Sequence, residues 1–570
     1  MLPLTRLLTI ALGLTSVSSI PTNNCRCTSD SACWPSDSDF QTLASKVSQP
    51  LIHPIPPATP CYNSAAGNCT EVQAGWYNGV WRSDQSGAAE HTNWETYTFP
   101  NGTIQGCYLN TSLGFSCQQG SVPVIGVDAR TPSDIQEAVK FAGSHNLRLV
   151  IKNTGHDYLG RSSGRDSFLI WTHHMKNITF HDSFSPTGAT DSVKYQNVFT
   201  FGAGVQWFEA YEAAREHSVL LVGGLSARGS VGAAGGWLAG GGHSALAPNY
   251  GLGVDNVLEI TIVTADGNHV IANPYQNQDL FWALRGGGGG TWGVVTSVTY
   301  KTHPSTPFAA ALITVNSTNA DSTQNLLEEI IRLTPSLVEQ GYGGYGGGNT
   351  EQFQFFVLSP NVTINQTQAT FLPLFELAAS QPGFSVQNET VQFQDFWEFY
   401  NLLFNSTDGQ VGVPSEISSW LLPKDVIQTD KPEDLAGELL KISGFGYYLV
   451  TGGQVSRADP SSTGLNPAWR NSLVYTTIGT GWQDGANETA IQTARQGLIQ
   501  DMKILESIAP DSGAYLNEAS RYEFDWKKSF FGSHYEELLA IKQKYDPNSL
   551  FLVYEGIGSD GWDADLVCRV

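Results

Sequence analysis

Short apolar runs with an amphipathic stretch between them predict an α/β unit in the first third of the chain. Residues 122–129 (VPVIGVDA) and 147–152 (LRLVIK) are short and apolar, which is typical of buried strands. Residues 132–144 (PSDIQEAVKFAGS) have apolar positions at helical spacing, and Ser133 and Asp134 indicate the capped start of a helix. Strand, helix and strand in this order form an α/β unit.

The same order of elements returns between residues 198 and 224, where the pattern again predicts strand, helix and strand. Residues 258–270 (LEITIVTADGNHV) then predict a β-hairpin, because an Asp-Gly pair separates two apolar runs. A short helix precedes the glycine run 286–290, and a strand at 293–303 follows it. We expect these elements to form one domain of mixed α+β character over residues 119–305.

Residues 306–505 have a different composition, which predicts a second domain. Aromatic and other residues alternate in stretches such as 352–359 (QFQFFVLS) and 446–455 (GYYLVTGGQV), as is typical of strands. Amphipathic segments such as 322–338 predict helices between them. We therefore expect an antiparallel sheet covered by helices. The C-terminal segment, 506–570, contains one more amphipathic helix.

Length and charge limit the class of protein. A chain of 570 residues is too long for one ordinary core, which agrees with two large domains. The formal net charge of -23 leaves no basic surface for nucleic-acid phosphates or for an anionic membrane, so it argues against both partners. An acidic surface fits a secreted protein that acts on a neutral small molecule.

The N-terminal region predicts secretion. Arg6, the apolar run 7–14 and the small residues at 17–19 are typical of a signal peptide over residues 1–19. Residues 20–118 are rich in Cys, Pro, Gly and aromatic residues, and we interpret them as a Cys-rich N-terminal extension. N-glycosylation sequons occur at Asn68, Asn101, Asn110, Asn177, Asn316, Asn361, Asn365, Asn388, Asn405 and Asn487.

The cysteines predict disulfides rather than a metal site. They lie at positions 25, 27, 33, 61, 69, 107, 117 and 568, and their even number behind a signal peptide indicates pairing that the spacing leaves open. A metal site on Cys25-Arg26-Cys27 is a weaker alternative, because no CxxC motif or matching histidine cluster accompanies it. His173 and His174 are expected to point to opposite faces of a strand, so we predict no metal there either.

Three glycine clusters are the candidate chemistry of the first domain. They are 153–158 (NTGHDY), 229–242 (GSVGAAGGWLAGGG) and 286–293 (GGGGGTWG). Glycine lets backbone N–H groups approach a phosphate closely, and tight turns with close-packed crossovers are the alternative for any single cluster. The last cluster has GxGxxG spacing, but a helix precedes it and a strand follows it. This order argues against a Rossmann turn.

The order and the residues of these motifs resemble those of the berberine bridge enzyme-like branch of the vanillyl-alcohol oxidase flavoproteins. The resemblance covers residues 119–305 and 514–560, and within the branch 152–164 (KNTGHDYLGRSSG) and 544–562 (KYDPNSLFLVYEGIGSDGW) look closest to secreted isoamyl alcohol oxidase-like proteins. It implies an α+β fold with a PCMH-type FAD-binding domain of two α/β subdomains at 119–305. The second domain would bind the substrate, and the C-terminal segment would return to the FAD-binding domain.

The resemblance also implies that FAD is the cofactor and that His156 is bonded covalently to the flavin 8α-methyl group. A neutral imidazole nitrogen is a nucleophile, and a rigid strand-to-turn junction fixes its position. Many relatives add a second bond to a cysteine, but the matching stretch 228–232 (RGSVG) contains none, so we expect a single covalent bond. Val231 matches a position where a small valine accompanies oxidases, although an ordinary core valine is the alternative.

Further cofactor contacts are implied by the same family segments. The remaining residues expected around FAD are Asn153, Thr154, Gly155, Asp157, Tyr158, Ser230, Val231, Gly232, Gly235, Gly236, Gly240, Asp255, Asn256, Val263, Gly289, Gly290, Val294, Tyr515 and Asn517. The loop 153–158 would hold the pyrophosphate. Tyr515 and Asn517 match the family's YxN motif, which returns to the isoalloxazine ring.

Oxidation of an alcohol requires a hydride acceptor and a base that removes the hydroxyl proton. Tyr515 is the first candidate for the base, provided that its surroundings lower its ordinary pKa of about 10. Glu518, where many relatives have another tyrosine, is the alternative. Tyr447 and Tyr448 line the substrate pocket or pack as ordinary sheet aromatics.

These observations predict a secreted FAD-dependent oxidase that acts on a small alcohol or another hydroxyl-bearing compound and reduces O2 to H2O2. One alternative is a flavin dehydrogenase that uses a different electron acceptor. The other is a non-catalytic secreted glycoprotein, against which His156, Tyr515 and Asn517 argue.

Overall fold

The computed structural model describes residues 24–404 and 411–570. The predicted signal peptide at 1–19 and the sequon at Asn405 lie outside these residues. The described part contains helices with parallel and antiparallel sheets, so the predicted α+β class is confirmed. No helix in the described ranges is long and apolar enough to cross a membrane.

A small parallel sheet forms the first subdomain. Its strands, in spatial order, are Ile125–Asp128, Phe168–Trp171 and Leu149–Lys152. The predicted helix is confirmed as Pro132–Ser144, but its cap is Thr131, whose side chain accepts from the Asp134 backbone while Asp134 reciprocates. The central strand, four buried residues long, was not predicted, because so short an apolar run carries no clear period.

A five-stranded antiparallel sheet forms the second subdomain. Its order is His269–Ala272, Val257–Val263, Val294–Lys301, Tyr195–Gly202 and Ile178–Phe184, with helix Trp207–Glu216 on the connection from the fourth strand. The predicted hairpin is confirmed by the pairing of its first two strands. The strand predicted at 219–224 is wrong beyond its first two residues. Only Val219–Leu220 pair with His303–Pro304, and a loop then leads into the second glycine cluster.

A seven-stranded antiparallel sheet forms most of the second domain, as predicted. Its order is Phe384–Phe393, Phe308–Ser317, Gln352–Pro360, Gly343–Gly348, Phe445–Tyr448, Ser472–Gly481 and Ser415–Pro423. The helices that cover the sheet are Ala320–Glu339, Ile364–Ser380, Pro432–Leu439 and Glu488–Ile508.

Shorter helices lie in both parts of the chain. Those before residue 306 are Gly236–Ala239, Ala247–Tyr250 and Gln278–Leu284, and those after it are Phe396–Leu403, Lys424–Ile427, Gly453–Arg457 and Ala468–Asn471.

The two ends of the described chain are joined to each other and to the third glycine cluster. Disulfides connect Cys25 to Cys568, Cys27 to Cys33, Cys61 to Cys69 and Cys107 to Cys117, which resolves the pairing that the sequence left open. The extension has helices Asp37–Ala44, Cys69–Gly75 and Gly79–Ser83 and the strand pair Tyr97–Thr98 and Ile104–Gln105; the C-terminal segment has helices Trp526–Phe531 and Tyr535–Tyr545. Lys542 Nζ donates to the carbonyl of Thr291 at 2.7 Å, so the last helix holds the third glycine cluster.

Candidate active site

The three glycine clusters meet in one cleft, which all three of them line. The predicted cofactor residues that line the cleft are Asn153, Thr154, Gly155, His156, Asp157, Val231, Gly232, Gly235, Gly236, Gly289, Gly290 and Val294. Segments more than 130 positions apart in sequence are thus brought to one site.

Glycine is required where the clusters approach other chain segments. A Cβ on Gly232 or Gly235 would come within 2.7 or 2.8 Å of Asn153 Nδ2. A Cβ on Gly240 would lie 2.4 Å from Asn517 Nδ2, so this glycine lets the YxN segment lie directly on the second cluster. Real Cβ atoms do not approach this closely, and larger residues would displace the side chains that face them.

Three buried polar atoms at the cleft have no hydrogen-bond partner among the described residues. They are Asn153 Oδ1, Arg161 Nη1 and Trp292 Nε1, and all three residues line the cleft. Buried polar atoms are nearly always paired in folded proteins, so these three are available to a bound polar molecule. The cleft therefore fits a large cofactor that carries phosphate and hydroxyl groups.

Arg161 is a site residue that the sequence argument missed, although it lies within the motif KNTGHDYLGRSSG. Its Nε donates to Asp157 Oδ2 at 2.6 Å, and its Nη2 donates to Asn517 Oδ1 at 3.0 Å. Arg161 thus joins the first glycine cluster to the YxN segment.

His156 faces the cleft with a neutral ring. Its Nε2 lies 2.7 Å from Ser230 Oγ and 4.0 Å from Glu90 Oε1. Burial lowers the pKa of His156 to about 3, so the imidazole is unprotonated at neutral pH. A neutral imidazole held by one nitrogen presents its other nitrogen as a nucleophile.

Glu518 lies at the centre of a cluster of tyrosines beside the cleft. Tyr475 OH donates to Glu518 Oε2 at 2.6 Å, and His243 Nε2 lies 3.1 Å from Glu518 Oε1. Burial raises the pKa of Glu518, but the interactions with His243 and Tyr475 outweigh it, so the net pKa is below its ordinary value. Glu518 is therefore a carboxylate at neutral pH.

Tyr515 does not meet the condition set for a base. Burial and the nearby Glu518 raise its pKa instead of lowering it. Its OH lies 3.3 Å from the carbonyl of Trp237 and accepts from Asn517 Nδ2 at 2.9 Å. Asn517 Nδ2 also donates to the Gly236 carbonyl at 2.7 Å. Tyr515 and Asn517 thus lie against the second glycine cluster.

Tyr447 and Tyr448 point to opposite faces of the seven-stranded sheet. Tyr447 OH lies 3.0 Å from Thr334 Oγ1 in the helix layer. Tyr448 lies on the other face, where its ring centroid is 5.1 Å from that of Tyr345 and 5.7 Å from that of Tyr475. Of the two, only Tyr448 belongs to the tyrosine cluster.

Several expected cofactor residues do not line this cleft. Asp255 forms a two-bond ion pair with Arg470 at 2.7 and 2.8 Å. Asn256 donates to the carbonyl of Leu252 at 2.9 Å. The carbonyl of Val263 lies behind the third cluster, 2.3 Å from where a Cβ on Gly293 would be.

Residues of the Cys-rich extension pack directly against the first glycine cluster, which no sequence pattern indicated. The Glu90 N–H donates to the Gly155 carbonyl at 3.1 Å, next to His156. Lys152 Nζ donates to the carbonyl of Gln85 at 2.6 Å. Tyr158 stacks on His91 with 4.1 Å between ring centroids. Charged residues in a Cys-rich and Pro-rich segment look solvent-exposed in sequence, and only the tertiary fold shows them to be buried.

The expectation that His173 and His174 face opposite directions is wrong. The strand ends at Trp171, and the ligand atoms of Asp84, His173 and His174 lie within 4.8 Å of one another, a distance that could hold a metal ion. His174 hydrogen bonds to Asp128 at 2.8 Å and to Asp84 at 3.1 Å, and these bonds raise its pKa to about 9. A protonated imidazole therefore provides the positive charge between the two carboxylates. The absence of a metal here stays a prediction.

Comparison with known proteins gives consistent matches along the chain. Residues 123–273 match the model of an FAD binding domain, and residues 514–558 match the model described as berberine and berberine like. An FAD-linked oxidoreductase of Arthroderma benhamiae is 37% identical over 96% of this chain and 96% of its own length. A VAO-type flavoprotein oxidase of Thermothelomyces thermophilus is 31% identical over the full length of both chains.

Solved structures agree with this result. The VAO-type flavoprotein MtVAO713 from Myceliophthora thermophila C1 superposes with a TM-score of 0.85 at 28% identity, over 96% of this chain and 100% of that one. A glucooligosaccharide oxidase from Acremonium strictum, described as having a 6-S-cysteinyl, 8α-N1-histidyl FAD, superposes with a TM-score of 0.64 over 76% of this chain and 91% of that one. Its identity of 19% supports the fold alone.

Proposed function

Because the chain belongs to the berberine bridge enzyme-like FAD-linked oxidoreductases of the vanillyl-alcohol oxidase type, we propose that it is a secreted oxidase of a small alcohol or another hydroxyl-bearing compound. FAD held in the cleft that His156, Asn153 and Arg161 line would supply the hydride acceptor for this reaction, with O2 as the final oxidant and H2O2 as its product. The observation that carries the proposal is the ionised Glu518 in the tyrosine cluster, three residues after Tyr515, whose OH lies 3.3 Å from the carbonyl of Trp237 in the lining of the cleft that His156 also lines.

The chain's own residues support a single covalent attachment of FAD. Ser230 and Glu90 occupy the Nε2 side of the His156 ring, so Nδ1 is the nitrogen that would bond the flavin 8α carbon. The related-fold glucooligosaccharide oxidase has a histidyl and a cysteinyl bond. All eight cysteines of this chain are in disulfides, which leaves no thiol for a second bond.

Glu518 and Tyr475 act together in removing the hydroxyl proton of the substrate. Glu518 is ionised, and the 2.6 Å hydrogen bond from Tyr475 OH provides a path by which a proton reaches the carboxylate. His243 supports the ionised state from the other side. A base within hydrogen-bonding reach of the hydroxyl contributes typically 10²–10⁴-fold to such a rate. Tyr515 would then help to position the isoalloxazine ring through its contact with the Trp237 carbonyl. It would not take the proton.

The seven-stranded sheet contributes Tyr345, Tyr448 and Tyr475 to the tyrosine cluster around Glu518, which supports its assignment as the substrate domain at 306–505. The FAD-binding domain would be 119–305, and the C-terminal segment 506–570 would return to it. Disulfides that persist in oxidising compartments support secretion of the chain after removal of residues 1–19. Val231 lines the cleft, as expected of a residue on the route of O2.

The test is retention of flavin after denaturation. The full-length protein is secreted from a eukaryotic host, denatured in acid and SDS, and examined for fluorescent flavin on the polypeptide. We expect fluorescence in the wild type and in His181→Ala, a control whose ring hydrogen bonds to Thr200 on the five-stranded sheet. We expect none in His156→Ala. A colourless wild-type protein would refute the proposal and support the non-catalytic alternative.

The electron acceptor is tested separately. Oxygen uptake and peroxide release are measured with a panel of small primary and secondary alcohols and simple sugars. Peroxide formed in proportion to alcohol oxidised supports the oxidase. Reduction of a quinone-type dye without oxygen uptake would instead identify a dehydrogenase.

A further inference from the structure

Glu90 is a carboxylate whose burial has no structural explanation. The residue has 0% relative exposure, and its Oε2 has no hydrogen-bond partner among the described residues. Its neighbour Glu95, also buried, pairs with Arg82. Buried carboxylates are nearly always paired, because an unpaired one is costly. Glu90 therefore has a different role from Glu95.

Glu90 is positioned against the side of the His156 ring that faces away from Nδ1. Its Oε1 lies 4.0 Å from His156 Nε2, and Ser230 Oγ lies 2.7 Å from the same nitrogen. Gly79 leaves room for both groups, since a Cβ there would lie 2.4 Å from Ser230 Oγ and 3.3 Å from Glu90 Oε2. Ser230 Oγ and the Glu90 carboxylate thus both lie beside Nε2.

Polar contacts fix Glu90 in this place. Ser83 Oγ donates to Glu90 Oε1 at 2.9 Å, and Gln206 Nε2 lies 3.2 Å from Ser83 Oγ. Gln206 Nε2 also donates to the Ser230 carbonyl at 2.7 Å. The Glu90 N–H is bonded to the Gly155 carbonyl, one residue before His156. The extension and the FAD-binding domain therefore fix the Glu90 carboxyl group and the His156 imidazole relative to each other.

We propose that Glu90 is the proton acceptor that activates His156 for its covalent bond to the flavin, acting directly on Nε2 or through Ser230. The inference rests on the proposed covalent attachment. A bond forms between His156 Nδ1 and the 8α carbon, and one C–H bond of the methyl group and the Nε2–H bond break. Two electrons and two protons leave the pair and reduce one O2 to H2O2. Glu90 receives the Nε2 proton transiently and releases it again, so that both protons end on H2O2 and Glu90 returns to its ionised form.

The acid–base properties of the surroundings agree with this role. Burial raises the pKa of Glu90 to about 8, against the lowering effects of Arg82, Ser83 and Lys152. Most Glu90 side chains are therefore protonated at neutral pH, and the proton is accepted by the ionised form, which becomes the major form as the pH rises through about 8 and is a stronger base than an ordinary glutamate. Positive charge that develops on His156, 4.0 Å away, favours the ionised form at that moment.

The experiment compares covalent with non-covalent flavin in full-length variants produced under riboflavin limitation and then incubated with FAD. The matched control is Glu523→Gln, because Glu523 is a partly buried glutamate with a pKa raised by burial to about 7, and it contacts Ser418 instead of His156. We expect Glu90→Gln to bind FAD but to form the covalent bond at least 10-fold more slowly than wild type and Glu523→Gln. We also expect Glu90→Asp to be intermediate.

Chemical rescue separates a proton acceptor from a merely structural residue. Formate added to Glu90→Ala should restore part of the covalent attachment rate, whereas chloride at equal ionic strength should not. If Glu90→Gln does not fold, Glu90→Asp and the formate rescue still decide the matter. Attachment in Glu90→Gln at the wild-type rate, or no formate effect in Glu90→Ala, would overturn the inference.

The two proposals fail in different ways. Loss of covalent flavin in His156→Ala together with full attachment in Glu90→Gln would leave the proposed function standing and remove Glu90. Flavin that washes out of the wild-type protein would remove both.

Discussion

Replacement of Glu518 by Gln tests the proposed chemistry most directly. The substitution keeps the size of the side chain and removes its charge and its basicity. Tyr475 and His243 keep a hydrogen-bonding partner, so we expect the fold and the flavin content to persist. The reaction, however, loses the group that takes the hydroxyl proton.

The structure sets the size and the pH dependence of the effect. Loss of a positioned base costs typically 10²–10⁴-fold in rate, or about 3–5 kcal/mol of transition-state stabilisation. Burial raises the pKa of Glu518, and His243 and Tyr475 together lower it to a net value below the ordinary one. Wild-type kcat/KM should therefore stay constant down to the ordinary glutamate pKa of about 4.3 and fall only below it.

Tyr475→Phe refines the test. It removes one of the contacts that lower the Glu518 pKa, so the acid limb of kcat/KM should move to higher pH. A hydrogen bond to a charged group contributes about 1.5–3 kcal/mol, which predicts a loss of roughly 10- to 150-fold. Tyr447→Phe is the matched control, because this buried tyrosine of the same sheet contacts Thr334 in the helix layer.

The assay is steady-state oxygen uptake from pH 3.5 to 9 with flavin content measured on each sample. The reasoning would be refuted if Glu518→Gln kept more than about a tenth of wild-type kcat/KM at full flavin content. Tyr515→Phe would then become the next variant, since that tyrosine is the other candidate for the base.

Three further predictions concern the cleft and the extension. Gly232→Ala places a Cβ 2.7 Å from Asn153 Nδ2 and should lower the flavin-to-protein absorbance ratio. The control Gly497→Ala, whose Cβ would have no atom within 4 Å, should leave the ratio unchanged. Equal ratios in the two variants would show that flavin binding does not need the close approach of Gly232 to Asn153. Glu95→Gln leaves Arg82 buried without its partner, and we expect a loss of about 3–5 kcal/mol in the free energy of unfolding by guanidinium; a change below about 1 kcal/mol would contradict this. Hydrogen bonds to Asp128 and Asp84 raise the pKa of His174 to about 9, so the protonated imidazole stabilises the folded protein. This stabilisation is fully present below a pH of about 6.5 and is lost as the pH rises through 9. His174→Gln should therefore flatten the fall in Tm over that interval, and an unchanged slope would count against the ion-pair interpretation.

Local patterns explain the elements that could be predicted from sequence. Helix Pro132–Ser144 and hairpin Val257–Ala272 follow from apolar period and turn chemistry within a dozen residues. Strand Phe168–Trp171 was not predicted, because its four residues gain their strand geometry from pairing with the neighbouring strands on both sides. Most of 219–224 is apolar but not a strand, because the chain there turns toward the cleft and pairs only at its start.

The candidate site divides in the same way. The motifs predicted that the glycines and His156 lie at one site, and most of them line one cleft; their roles toward the cofactor stay predictions. Arg161 was missed although it lies within the motif, and Glu90 was missed because nothing nearby in sequence relates it to His156. Tyr515 was named as a base from its motif, yet its surroundings raise its pKa, and this depends on the burial that only the fold provides.

The buried charges of the extension are better explained by function than by stability. Arg82 and Glu95 of the extension and Lys152 at the end of strand Leu149–Lys152 are all buried next to the first glycine cluster, and burial lowers the pKa of Lys152 to about 7. Apolar residues of similar size would often be as stable in such a place, because desolvation offsets most of the attraction between charges. Strongly perturbed ionisable groups concentrate where a protein performs chemistry. The N-terminal extension therefore packs directly against the loop that carries His156, and the proposed role of Glu90 would account for the charges buried there.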